Sequence, residues 1–222
     1  MPTAILFDFD GTLANTAPGI VLTMQKTFEE MGLAIPTEEA VRHTIGLPLK
    51  DCVRILGNFD DRQAEAGAAI YRRLFPLYEI DHISIFPEVQ ETLATLAAHG
   101  LRMAICTSRN KFSLDSILRR YHMEAFFETI ITADTHTLRP KPAPDMALVL
   151  MERLCIQAEE TLVVGDTSFD IEMGRQAHCP TAAVTYGNHS RQQLLAACPT
   201  YIIDHFGALL DIVLGSTIST DL

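Results

Sequence analysis

The sequence predicts an α/β fold, a Rossmann-like parallel sheet core with an inserted small α-helical cap domain. Three observations carry that reading. Short, wholly apolar, β-rich runs recur along the 222 residues, as strands buried on both faces of a parallel sheet do. Helix-length amphipathic stretches separate most of these runs, which is the βαβ rhythm. The rhythm breaks once, over residues 15–85, where helix signals follow one another with no buried-strand run. The expected division is therefore 1–14 and 86–222 for the α/β core and 15–85 for the cap.

In chain order, Ala4–Phe7 is the first strand and runs into Asp8-Phe9-Asp10-Gly11-Thr12. Strand alternation points the two carboxylates the same way. Like charges so close raise each other's pKa unless a cation or a proton intervenes, and Gly11 permits a sharp turn. Thr16 is the expected N-cap of a helix whose stripe is Val21, Met24, Phe28 and Met31, ending at Gly32. Thr37, Glu38 and Glu39 start a second helix. Leu49–Leu56 gives a third, and Asp60–Tyr78 a fourth with Ala66, Ile70, Leu74 and Leu77 along one side. These stripes read as packing surfaces. Pro87 opens the next helix, with Val89, Leu93, Leu96 and Ala97 at helical spacing and Gly100 at its end. Further strands are expected at Met103–Cys106, Thr129–Thr132, Leu162–Val164, Ala182–Thr185 and Tyr201–Ile203. Helices over Asn110–Tyr121, Asp145–Leu154 and Ser168–His178 lie among them.

Composition bounds the function. The apolar fraction of 48% supports a proper core, and a net charge of -11 argues against nucleic acid as a partner. An acidic protein acting on an anion needs a local cation to offset its own field. Five scattered cysteines with no CxxC or Cys/His cluster argue against zinc and against a disulfide framework. Asp8 interrupts the N-terminal apolar run, so a signal peptide is not expected. No stretch approaches the ~20 apolar residues of a membrane span. The expected setting is soluble, reducing and cytoplasmic, with no membrane partner and a monomer or weak homodimer.

Three loops sit where ligands gather in open parallel sheets, beyond the carboxyl ends of strands. Thr107-Ser108-Arg109-Asn110 is either a helix cap or a phosphate cradle. Lys141 lies within Arg139-Pro140-Lys141-Pro142-Ala143-Pro144, where prolines stiffen the backbone. It is either an exposed lysine or a fixed point charge. Asp166 leaves a buried strand and Asp170 follows as the next helix begins. Their i,i+4 spacing would put them on adjacent faces of that first turn. Capping accounts for one acid and not both, and a sparse carboxylate set is what a hard cation such as Mg²⁺ needs.

Taken together, the order Asp8-Phe9-Asp10-Gly11-Thr12, Thr107-Ser108, Lys141, then Gly165-Asp166-Thr167-Ser168-Phe169-Asp170 resembles the haloacid dehalogenase superfamily of phosphotransferases over essentially the whole chain. The resemblance implies that Asp8 is the nucleophile and forms an aspartyl-phosphate. It implies that Asp10 protonates the leaving group and later activates water. Thr107 and the Ser108 N–H would hold phosphoryl oxygens, with Arg109 beside them as a substrate contact, and Lys141 would pair with the phosphate and Asp8. Mg²⁺ would bind the Asp8 carboxylate, the Asp10 carbonyl oxygen and Asp166, with Asp170 orienting from behind.

The acid at position 10 excludes dehalogenase and phosphonate-cleaving relatives, which lack one there. A non-catalytic binding protein would be expected to have lost a charged motif member, and none is missing. Mutase relatives carry an Arg three residues after the cap-loop glycine, Gly46; here that residue is Leu49. The expected activity is hydrolysis of a small anionic phosphomonoester, phosphoglycolate-like, with pyrophosphate hydrolysis as the alternative. Gly46 and Lys50 would overhang the site, and Lys50 is either solvated or a contact for an anionic substrate tail.

Overall fold

Six parallel strands form the sheet of the computed structural model, in which residues 1–78, 81–135 and 137–215 are described. The last seven residues assigned to the core, 216–222, lie outside the described residues. The strands are β1 (Ala4–Phe7), β4 (Arg102–Cys106), β5 (Thr129–Ile131), β6 (Thr161–Gly165), β7 (Thr181–Val184) and β8 (Tyr201–Ile203). They lie in the order β5-β4-β1-β6-β7-β8. All four residues of β1 are buried, because neighbours flank it on both sides: Phe7 pairs with Ile105 on β4 and with Val164 on β6. The winding direction reverses at β1, so the crevice beyond its carboxyl end is the switch point where such sheets bind ligands.

Between β1 and β4 the chain forms α1 (Ala17–Glu30), α2 (Glu38–Arg42), α3 (Leu49–Gly57) and α4 (Asp61–Tyr78), then α5 (Val89–Ala98). The remaining helices are α6 (Lys111–Arg120), α7 (Asp145–Leu154), α8 (Ser168–Gln176), α9 (Arg191–Ala196) and α10 (Leu209–Leu214). The sequence does not reveal a two-stranded ladder, β2 (Ala14–Asn15) with β3 (Ser84–Ile85), which pairs Ala14 with Ile85 and Asn15 with Ser84. Two-residue strands are too short to show a period. The ladder brings entry to and exit from the helical segment side by side. No helix among the described residues is long and apolar enough to cross a membrane.

Four local expectations need correction. Thr16 precedes α1 but makes no side-chain cap bond; its hydroxyl donates to Asp10 Oδ1 at 2.6 Å instead. The buried face of α4 is Ala64, Gly67, Ala68, Tyr71, Leu74 and Phe75, whereas Ala66 is exposed and Leu77 is 69% exposed. Facing α1 and α3 rotates the helix to present its rings and small residues. α5 starts at Val89, two residues after Pro87, because Glu88 adopts φ 64° and its carboxylate accepts from the Gly207 N–H at 3.0 Å. Ala97 is exposed, and Thr92 is buried beside Val89, Leu93 and Leu96 in its place.

Candidate active site

β1 ends at Phe7, and Asp8 follows immediately, its N–H donating to the Val164 carbonyl at 2.9 Å. The acid is thereby held between β1 and β6 and is buried. Its Oδ1 accepts from Lys141 Nζ at 2.6 Å. Its Oδ2 is buried with no hydrogen-bond partner among the described residues, which is costly unless a ligand completes it. Gly11 (φ 91°) turns the chain under the site, and a Cβ there would stand 2.1 Å from Asp166 Oδ2. Only glycine satisfies both the backbone and the space.

Lys141 resolves to the fixed charge. It is 1% exposed and also donates to Asp170 Oδ1 at 2.6 Å. Its loop is anchored by Arg139, whose N–H and guanidinium grip Asp145 at the start of α7, at 3.0 Å and 2.7 Å. Asp170 also closes the capping box of α8, its Oδ2 accepting from the Thr167 N–H at 3.0 Å and from the Thr167 hydroxyl at 2.7 Å. Asp166 is not on that helix, contrary to the i,i+4 expectation, since β6 ends at Gly165 and α8 starts at Ser168. The fold over the strand end brings the two acids together. Ligand oxygens of Asp8, Asp166 and Asp170 lie within 4.8 Å of one another.

Burial drives the electrostatics. It pushes the Asp8 carboxyl well above the usual carboxylate range; Lys141 opposes this, while Asp170, Asp166 and Asp10 add to it. Burial and then Asp170 push Asp166 up to about 7, against the hydrogen bonds it accepts. Burial alone would discharge Lys141, but Asp170 and Asp8 outweigh it and hold the ammonium charged. Three buried acids around one lysine therefore leave excess negative charge. Three carboxylates with ligand oxygens this close form an all-oxygen donor set, which suits a hard divalent cation, so the residues present fit such an ion.

Asp10 faces elsewhere. Its carboxylate accepts from Arg109 Nε at 3.0 and 3.1 Å and from Arg109 Nη2 at 2.5 Å, besides Thr16. Arg109 is itself held by Ser113 at 2.5 Å and by the faces of Phe75 and Phe9, at 5.2 and 5.9 Å. The Asp10 side chain thus stands apart from the three-acid cluster, while its carbonyl is turned to Asn188 Nδ2 at 3.4 Å. The cap of α6 is Asn110, whose side chain accepts from the Ser113 N–H, so Thr107 and Ser108 are not helix caps. The Thr107 hydroxyl accepts from the Arg109 N–H at 3.1 Å. Ser108 Oγ donates to the Gly46 carbonyl at 2.6 Å, tying the helical segment to the sheet.

One cavity of about 620 Å³ contains Asp8, Asp10, Thr107, Ser108, Arg109, Gly46 and Lys50 in its wall. Lys50 places its ammonium 3.2 Å from Asp61. Lys141, Asp166 and Asp170 stand behind Asp8 rather than in that wall. Sequence reasoning missed three supports. Thr12 Oγ1 donates to Asp166 Oδ1 at 3.0 Å, and Thr16 binds Asp10. Asn188 grips Asp166 Oδ2 through its backbone N–H at 2.7 Å and its amide at 2.9 Å. The available signal for Asn188 was its place just after β7, beyond the same edge of the sheet.

Known proteins resemble the chain in sequence and in fold. The sequence model described as haloacid dehalogenase-like hydrolase matches residues 5–184. A protein described as a probable phosphatase, IndB, from Dickeya dadantii is 34% identical over 95% of this chain and 93% of its own length. A phosphoglycolate phosphatase from Rhodospirillum rubrum is 30% identical over 95% and 90%. The crystal structure of a haloacid dehalogenase-like hydrolase from Bacteroides fragilis superposes with a TM-score of 0.90 at 30% identity, covering 94% of this chain and 100% of that one.

Proposed function

The chain belongs to the haloacid dehalogenase-like hydrolase family, and we propose that it is a Mg²⁺-dependent phosphatase acting on a small phosphomonoester through an aspartyl-phosphate on Asp8. The observation that carries this reading is the divided Asp8 carboxylate: Oδ1 fixed by Lys141, Oδ2 buried and without a partner among the described residues. Oδ2 attacks phosphorus as the ester P–O bond breaks. Lys141 keeps its charge beside the nucleophile and offsets the repulsion between two anions. Thr107 holds a phosphoryl oxygen. Asp10 keeps Arg109 on Oδ1, enters the step with a proton from solvent on Oδ2, and gives that proton to the leaving oxygen. It then takes a proton from water, which attacks phosphorus and releases phosphate and the Asp8 carboxylate. Splitting hydrolysis in this way lets one residue act as acid and then as base. Held by Asp8, Asp166 and the Asp10 carbonyl, with Asp170 behind, Mg²⁺ would neutralise charge on the transferring group. Residues 15–85 would serve as the cap, and the phosphatase name of the Rhodospirillum rubrum relative supports an ester substrate.

The test is phosphate release by the wild type with Mg²⁺ and with chelator, beside Asp8→Asn and Asp10→Asn. Asp8→Asn stays folded by circular dichroism and loses turnover; near wild-type rates in that variant would remove Asp8 as nucleophile. Asp10→Asn loses roughly 10²–10⁴-fold on alkyl phosphates and less on an aryl phosphate, whose leaving group needs no proton. Equal losses would count against the acid role.

A further inference from the structure

The helical segment builds its share of the cavity wall from Ile20, Met24, Leu47, Leu49, Tyr71 and Phe75. The two rings stack, with centroids 5.4 Å and planes 16° apart. At about 620 Å³ the cavity falls in the range that encloses drug-sized ligands, far beyond what a two-carbon acid fills. Three cations also reach its wall, and each already holds a carboxylate. Lys50 holds Asp61 at 3.2 Å, Arg72 holds Glu65 at 3.0 Å, and Arg109 holds Asp10 at 2.5 Å. Glu65 and Asp134 line the cavity as well. A second anionic group on the substrate would shed its hydration against apolar side chains and beside Asp10, Glu65 and Asp134, which is costly. An uncharged ring loses no hydrogen bonds there and gains apolar burial and ring contacts.

From this pairing of apolar walls with neutralised cations, we infer that the preferred substrate is the phosphate ester of an uncharged alcohol bearing an apolar ring. Phosphoglycolate and pyrophosphate are then secondary substrates at best. The inference rests on the phosphatase reading above and adds the chemistry of the leaving group. Leu49 and Phe75 are the residues that read it.

Ethyl phosphate, benzyl phosphate and phosphoglycolate all release a primary alcohol, so they differ in the tail rather than in the need for protonation. With Mg²⁺ present, kcat/KM for benzyl phosphate should exceed that of the other two by at least about tenfold, within the roughly 10–200-fold that a hydrophobic subsite supplies. Phe75→Ala should shrink the benzyl-to-ethyl ratio about tenfold. Because Phe75 also supports Arg109, Leu49→Lys is the second variant. Leu49 is partly exposed at the start of α3, and a lysine there should move the benzyl-to-phosphoglycolate ratio toward the acid. Wild-type preference for phosphoglycolate, or ratios that neither variant moves, would overturn the inference. Calorimetric binding to Asp8→Asn with Mg²⁺ gives a readout without turnover: benzyl phosphate should bind more tightly than phosphoglycolate, and the reverse order overturns the inference. A wild type that hydrolyses none of the three but binds in the expected order would instead defeat the phosphatase reading alone.

Discussion

Asp166 accepts three hydrogen bonds, from Thr12 and twice from Asn188, and is still pushed toward protonation by burial. Between its ordinary 3.8 and about 7 the folded protein binds a proton that the unfolded chain does not, so this group's stabilising contribution is complete below 3.8 and lost as pH rises through about 7. In chelator, the Tm of Asp166→Asn relative to wild type should therefore rise between about pH 5 and about pH 8. A flat or falling difference by calorimetry would refute the assignment. Mg²⁺ should raise the wild-type Tm more at the higher pH, because its ligands must be deprotonated. Arg109 and Asp10 make a different kind of pair, with side chains only 5% and 12% exposed. Removing one partner of a buried pair costs about 3–5 kcal/mol. Arg109→Ala should show a loss of that size in urea unfolding, and adding Asp10→Asn should recover part of it. If the double variant is worse by the full sum, the carboxylate is not what Arg109 compensates.

At the scale of elements, most helices follow their apolar spacing, and α4 shows where spacing alone misleads. Ala66, Ile70, Leu74 and Leu77 make a plausible stripe, yet the helix turns Tyr71 and Phe75 inward beside Leu74. The stability of point variants checks the observed face. Leu74→Ala, at 7% exposure, should cost about 2–5 kcal/mol. Leu77→Ala, at 69% exposure, should stay within about 0.5 kcal/mol. Equal costs in denaturant melts would mean that the buried face has been misassigned. The loop carrying Lys141 shows the opposite balance: its neighbouring prolines limit the backbone, but the Arg139–Asp145 clamp and two carboxylates decide where the ammonium rests.

Across the molecule, several polar contacts join the helical segment to the sheet. Ser108 Oγ holds the Gly46 carbonyl, Arg42 reaches Asn188 Oδ1 at 3.4 Å, and the β2–β3 ladder joins the two connections. Gly46 has φ 104°, and a Cβ on it would come within 3.3 Å of Phe169 and Thr167. Gly46→Val should therefore lower kcat/KM for every substrate, through strain and a displaced loop. Ser108→Ala should cost about 0.5–1.5 kcal/mol of stability and also lower kcat/KM, though less than Gly46→Val. A Gly46→Val protein with unchanged kinetics would show that the loop's seat on the sheet does not matter for turnover.

Six strands to within a residue or so, the interruption by helices and the strand-end acids are legible in the amino-acid order alone. Those features are local: an apolar run, a turn glycine and a strand-end carboxylate are fixed by neighbours in the chain. Which charges meet is fixed only once the strands are assembled. Lys141, taken alone, reads as an exposed lysine; Asp8 and Asp170, arriving from other strand ends, bury and fix it. Thr16 read as a cap until Asp10 claimed its hydroxyl. Asn188 carried no motif, yet it grips Asp166 from beyond the end of the neighbouring strand. Hydrogen bonds from one strand end to another, 22 positions apart for Asn188–Asp166 and 133 for Lys141–Asp8, leave no periodicity in the chain, because they are set by the order in which strands lie side by side.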